Sequence, residues 1–235
     1  MKSYSKTALA VSISILSALF VHGSAVGREM TKGQAEVYKK RIVACAENRD
    51  YKGVFKIAKE FHHEYGAFDV AKAYYRVSLC LAEQSGLFER KDDGYLGEIC
   101  GEINELYNKL ADESGTDELR KKYKENSFRF YEAACVFGDI ETIRSSIASS
   151  VELYEENRHE EYSVIHGESI AVNLSPRLKL KYPRLYEKAV AIVKEVFGTR
   201  GGCPGCETLQ DVDEKRKDKS EKAIETLKEF TLGRM

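Results

Sequence analysis

The chain has no tryptophan, and its 37 basic and 38 acidic residues nearly cancel. That balance leaves no concentrated basic face of the kind nucleic acid requires. Beyond the first 25 residues no run approaches the roughly 20 apolar residues that a membrane helix needs. Period-two alternation, the mark of a half-buried strand, is missing as well. Catalytic signatures are equally scarce. There is no Gly-x-Ser-x-Gly elbow and no His-Glu-x-x-His, and Gly201-Gly202 lacks the Lys-Ser/Thr of a phosphate loop. The doublets Asp92-Asp93, Glu155-Glu156 and Glu160-Glu161 read as solvated faces. These absences predict a protein that is not an enzyme, with no cofactor, no metal site and no nucleic-acid partner.

What is present begins with an address. Lys2 and Lys6 precede the largely apolar stretch Ala8 to Val21, and Gly23-Ser24-Ala25 puts small residues at the third and first positions before a cut. The alternative is an uncleaved anchor, but the stretch is short, serines dilute it and His22 interrupts its end. The expectation is a signal peptide over 1–25 and export to a periplasm or the exterior, with no membrane span left after cleavage.

Six cysteines, Cys45, Cys80, Cys100, Cys135, Cys203 and Cys206, make disulfides the default expectation for an exported chain. Proximity favours only the Cys203–Cys206 pair. Cys45 and Cys80 stand 35 positions apart, as do Cys100 and Cys135. Equivalent sites on stacked helices, about 8–10 Å apart, exceed the roughly 7 Å reach of a bridge. In Gly201-Gly202-Cys203-Pro204-Gly205-Cys206 the two thiols read as a static staple in a tight turn. A dithiol redox pair and a metal site are the alternatives. The first normally sits between a strand and a helix, and zinc would need a second close ligand pair. His62 and His63 point about 100° apart on a helix, a poor joint site, so His62 reads as a packed core residue.

Nearly every segment carries a 3.6-residue apolar period. Thr31 with Gln34 forms a capping box ahead of Tyr38, Ile42, Cys45 and Ala46. Asp50 caps a helix bearing Val54, Ile57, Ala58 and Phe61, closed by Gly66. A third helix runs through Ala71, Tyr74 and Leu81 to Gly86. Leu87 to Tyr95 reads as a charged loop, Leu96 to Leu110 as a helix, and Thr116 as the cap of the next one. Arg158 to Ser175 reads as loop or irregular structure. Leu185 to Phe197 is helical, and the tail from Asp211 is a mixed-charge helix whose first half lies on the surface or extends into solvent.

The densest information lies in Ser127 to Ile147. There Phe130-Tyr131 meets the small Ala133, Ala134 and Cys135, and Gly138-Asp139 ends one helix and starts another. Rings beside small residues let one helix sink into its neighbour. Ser127, Phe130, Tyr131, Ala134, Cys135, Gly138 and Asp139 resemble the junction of a Sel1-like repeat. Phe55, Ala58, Gly66, Ala71, Tyr75 and Ser78 resemble a tetratricopeptide-type helix pair. The likeness covers residues 50–85 and 118–156. It implies an all-α fold, an irregular αα-hairpin repeat domain with a C-terminal helical extension. Ala71, Tyr74, Tyr75, Ser78, Phe130, Tyr131, Ala134 and Gly138 become repeat-packing residues, with an aromatic peptide groove as the alternative for the rings. The domain reading is signal peptide 1–25, hairpin domain 26–157, and a C-terminal region 158–235 holding the Cys203–Cys206 turn and the charged tail. The resemblance also implies a scaffold or adaptor for a protein partner. The alternatives are a redox or metal-linked helper using Cys203 and Cys206, and a structural secreted or envelope protein without catalysis.

Cleavage is directly measurable. N-terminal mass spectrometry of the exported protein is expected to give a chain beginning at Val26, and a chain retaining residues 1–25 contradicts it.

Overall fold

The computed structural model describes residues 31–90, 94–157, 163–198 and 209–235. Among them every regular element is an α-helix. In chain order these are α1 (Lys32–Glu47), α2 (Tyr51–His63), α3 (Phe68–Gln84), α4 (Leu87–Arg90), α5 (Gly94–Glu113), α6 (Asp117–Val136), α7 (Ile140–Glu156), α8 (Ser163–Asn173), α9 (Pro176–Lys181), α10 (Pro183–Gly198) and α11 (Leu209–Thr231). The all-α expectation holds. Segment 1–25 and the Cys203–Cys206 turn lie outside the described residues.

Local chemistry sets most helix ends. Thr31 and Gln34 complete a reciprocal capping box at α1. The side chains of Asp50, Thr116 and Asp139 accept from the amides of Gly53, Leu119 and Thr142 to open α2, α6 and α7. Each such cap contributes about 1 kcal/mol. Ser175 caps α9, with Pro176 in the first turn where its missing N–H costs nothing. Gly66 and Gly138 lie at φ 60° and 83°, beyond the ends of α2 and α6.

Two segments differ from their sequence reading. In the expected loop Leu87 to Tyr95, residues Leu87 to Arg90 form α4, and Leu87 and Phe88 are buried. Their apolar pair outweighs the charges that follow. The expected irregular stretch Arg158 to Ser175 contains α8, which buries Gly167, Ile170 and Ala171. A Cβ on Gly167 would come within 2.6 Å of Val196, so the missing side chain lets α8 approach α10. Among the described cysteines the default expectation of disulfides is not met. Cys45, Cys80, Cys100 and Cys135 are all free thiols. Burial pushes the Cys80 thiol up to about 11 and Cys135 up to about 12, and holds Cys100 well above the usual thiol range. Little thiolate forms, so these sites are unreactive.

Two apolar clusters organise the packing. The first joins α1 to α6 with Ala223, Leu227 and Phe230 of α11. The second joins Ile143, Ile147 and Val151 of α7 to Ile170, Leu178, Ala189, Ile192 and Val196. Helix α11 serves both ends. Arg216 donates to the carbonyl of Ala171 at 2.6 Å and of Val172 at 3.2 Å, near the C-terminus of α8. Fourteen residues on, Phe230 packs edge-on against Phe130 with centroids 5.2 Å apart. The charged first half of α11 therefore runs along the surface of α8.

Helix α5 meets the α6–α7 turn at Gly97. A Cβ there would lie 2.7 Å from the Asp139 amide nitrogen and 2.9 Å from the Phe137 oxygen, both backbone atoms with little freedom to yield. At Gly101, one turn on, the nearest atom is 3.4 Å away. Chemical denaturation is expected to show Gly97→Ala destabilised by about 1–3 kcal/mol. Gly101→Ala should be neutral or stabilised by up to about 1 kcal/mol. Equal effects would contradict this contact.

Candidate functional site

The residues singled out from sequence are mostly interior. Tyr74, Tyr75, Phe130 and Ala134 are fully enclosed, and Tyr131 is half-buried. Ser78 donates to the Tyr51 carbonyl and bonds Tyr95 Oη at 2.6 Å, fastening α3 to α2 and α5. Gly138 supplies the left-handed turn before α7. The enclosed rings line no open groove.

The chemistry gathers where α2, α3 and α5 meet. His62 is buried, as its place on the apolar face of α2 predicts, yet it is not surrounded by carbon alone. Its Nδ1 lies 3.2 Å from Tyr75 Oη and 3.4 Å from Glu102 Oε2. Neighbouring His63, although exposed, reaches the same carboxylate. Its Nε2 lies 2.7 Å from the same Glu102 oxygen, and the two imidazoles stack with centroids 4.4 Å apart. Tyr75 donates to Glu102 Oε2 at 3.3 Å. Lys59 bridges Glu98 and Glu102, each at 2.9 Å. The 100° between adjacent helix positions fixes only the Cβ directions, and here a shared carboxylate draws both rings together.

This arrangement decides the charge of Glu102. Burial alone would push its carboxyl up, but hydrogen bonds from His62, Lys59 and His63 outweigh it and hold the group down at about 2. For Tyr75, burial followed by the Glu102 charge raises the phenol, so it remains a donor. Glu105 shows the same contest: burial raises it, while Lys109 at 2.8 Å and the two histidines lower it. A partial signal was available in the sequence. Glu102 and Glu105 flank the apolar stripe of Ile99, Ile103 and Leu106, and His62 interrupts the apolar face of α2.

Two of the open grooves among the described residues flank the first cluster beside α2 and α4. One, of about 550 Å³ beside α2 and Tyr95, balances Lys52, Lys56 and Lys59 against Glu60, Glu64 and Glu98. The other, of about 520 Å³, lies between α3, α4 and α11. Among the described residues, Glu83, Glu89, Glu221 and Glu225 surround Phe88 and Ile224 there, with Lys228 as the single cation in the lining. Among the described residues none of these four carboxylates forms an ion pair. Burial pushes the Glu83 carboxyl up; Glu89 adds to the shift and Lys228 opposes it.

The Glu102 cluster has a pH signature. A folded-state pKa depressed from 4.5 to about 2 stabilises the fold fully above pH 4.5 and ceases to do so as pH falls towards 2. The shift corresponds to on the order of 3 kcal/mol. Glu102→Gln is expected to lose about that much stability at pH 7 and to flatten the acid limb of stability against pH. An acid limb identical to that of the unsubstituted protein would contradict the assignment.

No family model, curated protein or solved structure matches the chain, so a functional reading rests on the geometry of its own residues.

Proposed function

We propose that the protein is an exported helical scaffold, of irregular αα-hairpin type, that binds a basic segment of a partner protein in the groove between α3, α4 and α11. The carrying observation is the lining of that groove among the described residues: four carboxylates and one ammonium around an apolar floor of Phe88 and Ile224. Four carboxylates around one ammonium repel one another, and burial, more than its neighbours' charge, holds Glu83 above its ordinary value. A lysine- or arginine-rich segment would relieve that repulsion while its aliphatic stems cover the floor. The N-terminal segment supports export, and the Sel1-like and tetratricopeptide-like spacings support a binding role. The second groove, with balanced charges, offers less discrimination between partners.

Photo-crosslinking from position 221 in the producing cell, with position 121 on α6 as control, tests the reading. The expected result is a crosslink specific to position 221, onto a partner segment rich in Lys or Arg, lost at high salt and in Glu83→Gln/Glu225→Lys. Crosslinks indifferent to salt and to charge reversal, or none at all, contradict it. Circular dichroism of the variant confirms that the fold is retained.

A further inference from the structure

The geometry points to a second site: His62, His63 and Glu105 together bind a divalent transition-metal ion of the zinc class. One ligand-capable atom from each of the three side chains lies within 4.8 Å of the others. Donors at about 2.0–2.1 Å from a tetrahedral zinc stand about 3.4 Å apart. The approach therefore needs only rotation of the exposed His63 and Glu105 side chains.

The independent sign is at His62. Its Nε2 is buried and has no hydrogen-bond partner, while Nδ1 faces Tyr75 and Glu102. Tyr75 donates its proton to Glu102, so its oxygen is left to accept from His62 Nδ1–H. That tautomer puts a bare lone pair on Nε2. A buried acceptor left unsatisfied bears its desolvation cost uncompensated, and a cation removes that cost. The hydroxyls of Tyr74 and Tyr107 and the Asn126 amide nitrogen are also unpartnered, but among the described residues only His62 has two further ligand groups beside it.

Glu102 completes the pattern from outside. By accepting from His63 Nε2–H it leaves Nδ1 of that ring free for metal, and it orients His62 as well. A carboxylate holding the far nitrogen of an imidazole is how metal-ligating histidines are usually fixed. Glu105 holds Lys109 through Oε1, which leaves Oε2 for the ion. Three carboxylates, Glu98, Glu102 and Glu105, face two ammoniums, Lys59 and Lys109, so the surroundings favour a cation. A mixed nitrogen and oxygen donor set suits zinc, nickel or cobalt better than calcium or magnesium.

Titration calorimetry of the metal-free full chain with Zn2+ alone tests this, with Co2+ absorption as a spectroscopic readout. The expected result is one high-affinity Zn2+ per chain and a Co2+ spectrum without thiolate charge transfer. Affinity is expected to fall by about ten-fold or more in His63→Ala and in Glu105→Gln, whose side chains are exposed and whose folds are checked by circular dichroism. It should be unchanged in Glu64→Gln and in Cys203→Ser/Cys206→Ser. Absence of Zn2+ binding, binding indifferent to both ligand variants, or loss of binding in the double serine variant overturns the assignment.

Discussion

Helix α11 is the constraint on which the rest of the architecture depends. One end closes the exposed carbonyls of α8 through Arg216, and the other inserts Leu227 and Phe230 into the core of α1 to α6. Arg76 fastens this end by donating to the Phe230 carbonyl at 3.0 Å, where the last turn of a helix lacks partners of its own. Burying Leu227 and Phe230 contributes about 1.5–3 kcal/mol each. The half-exposed Arg129–Glu229 pair contributes at most about 1 kcal/mol. Apolar burial, not charge, therefore docks the helix, and the charges left over are free to shape its outer face. The acidic groove exists because α11 lies beside α3 and α4.

The cluster around Glu102 works in the opposite sense. Its members are polar, and burial makes each of them dependent on the others. A carboxylate taken out of water needs donors on every side, and Lys59, His62, His63 and Tyr75 supply them from two further helices. Removing one partner leaves a buried charge partly unmatched, which is more damaging than never having placed it there. The same interlock fixes the side-chain orientations on which any ligand chemistry at the histidines depends.

Much of the helical framework was legible because it is local. Thr31 with Gln34, Asp50, Thr116 and Asp139 act on amides within three residues, so their spacing alone identifies them. Glycines closing α2, α3 and α6 are visible for the same reason. Helix α8 was hidden because its middle, His166-Gly167-Glu168-Ser169, has little apolar pattern, and the value of Gly167 lies in a contact with Val196 of α10. The polar cluster was hidden more deeply. Glu102 lies 39 positions from His63, and nothing short of the packed α2–α5 interface brings them to 2.7 Å. Even the aromatic pair of α6 conceals one of its partners, since Phe130 meets Phe230, one hundred residues later, only once α11 has folded back.

Docking of α11 is thus the central claim, and hydrogen exchange read by mass spectrometry tests it most directly. The account predicts that amides of residues 223–231 are protected as strongly as those of 127–136 in α6, and that Phe230→Ala loosens both segments together. Rapid exchange across 223–231 while α6 stays protected would contradict it.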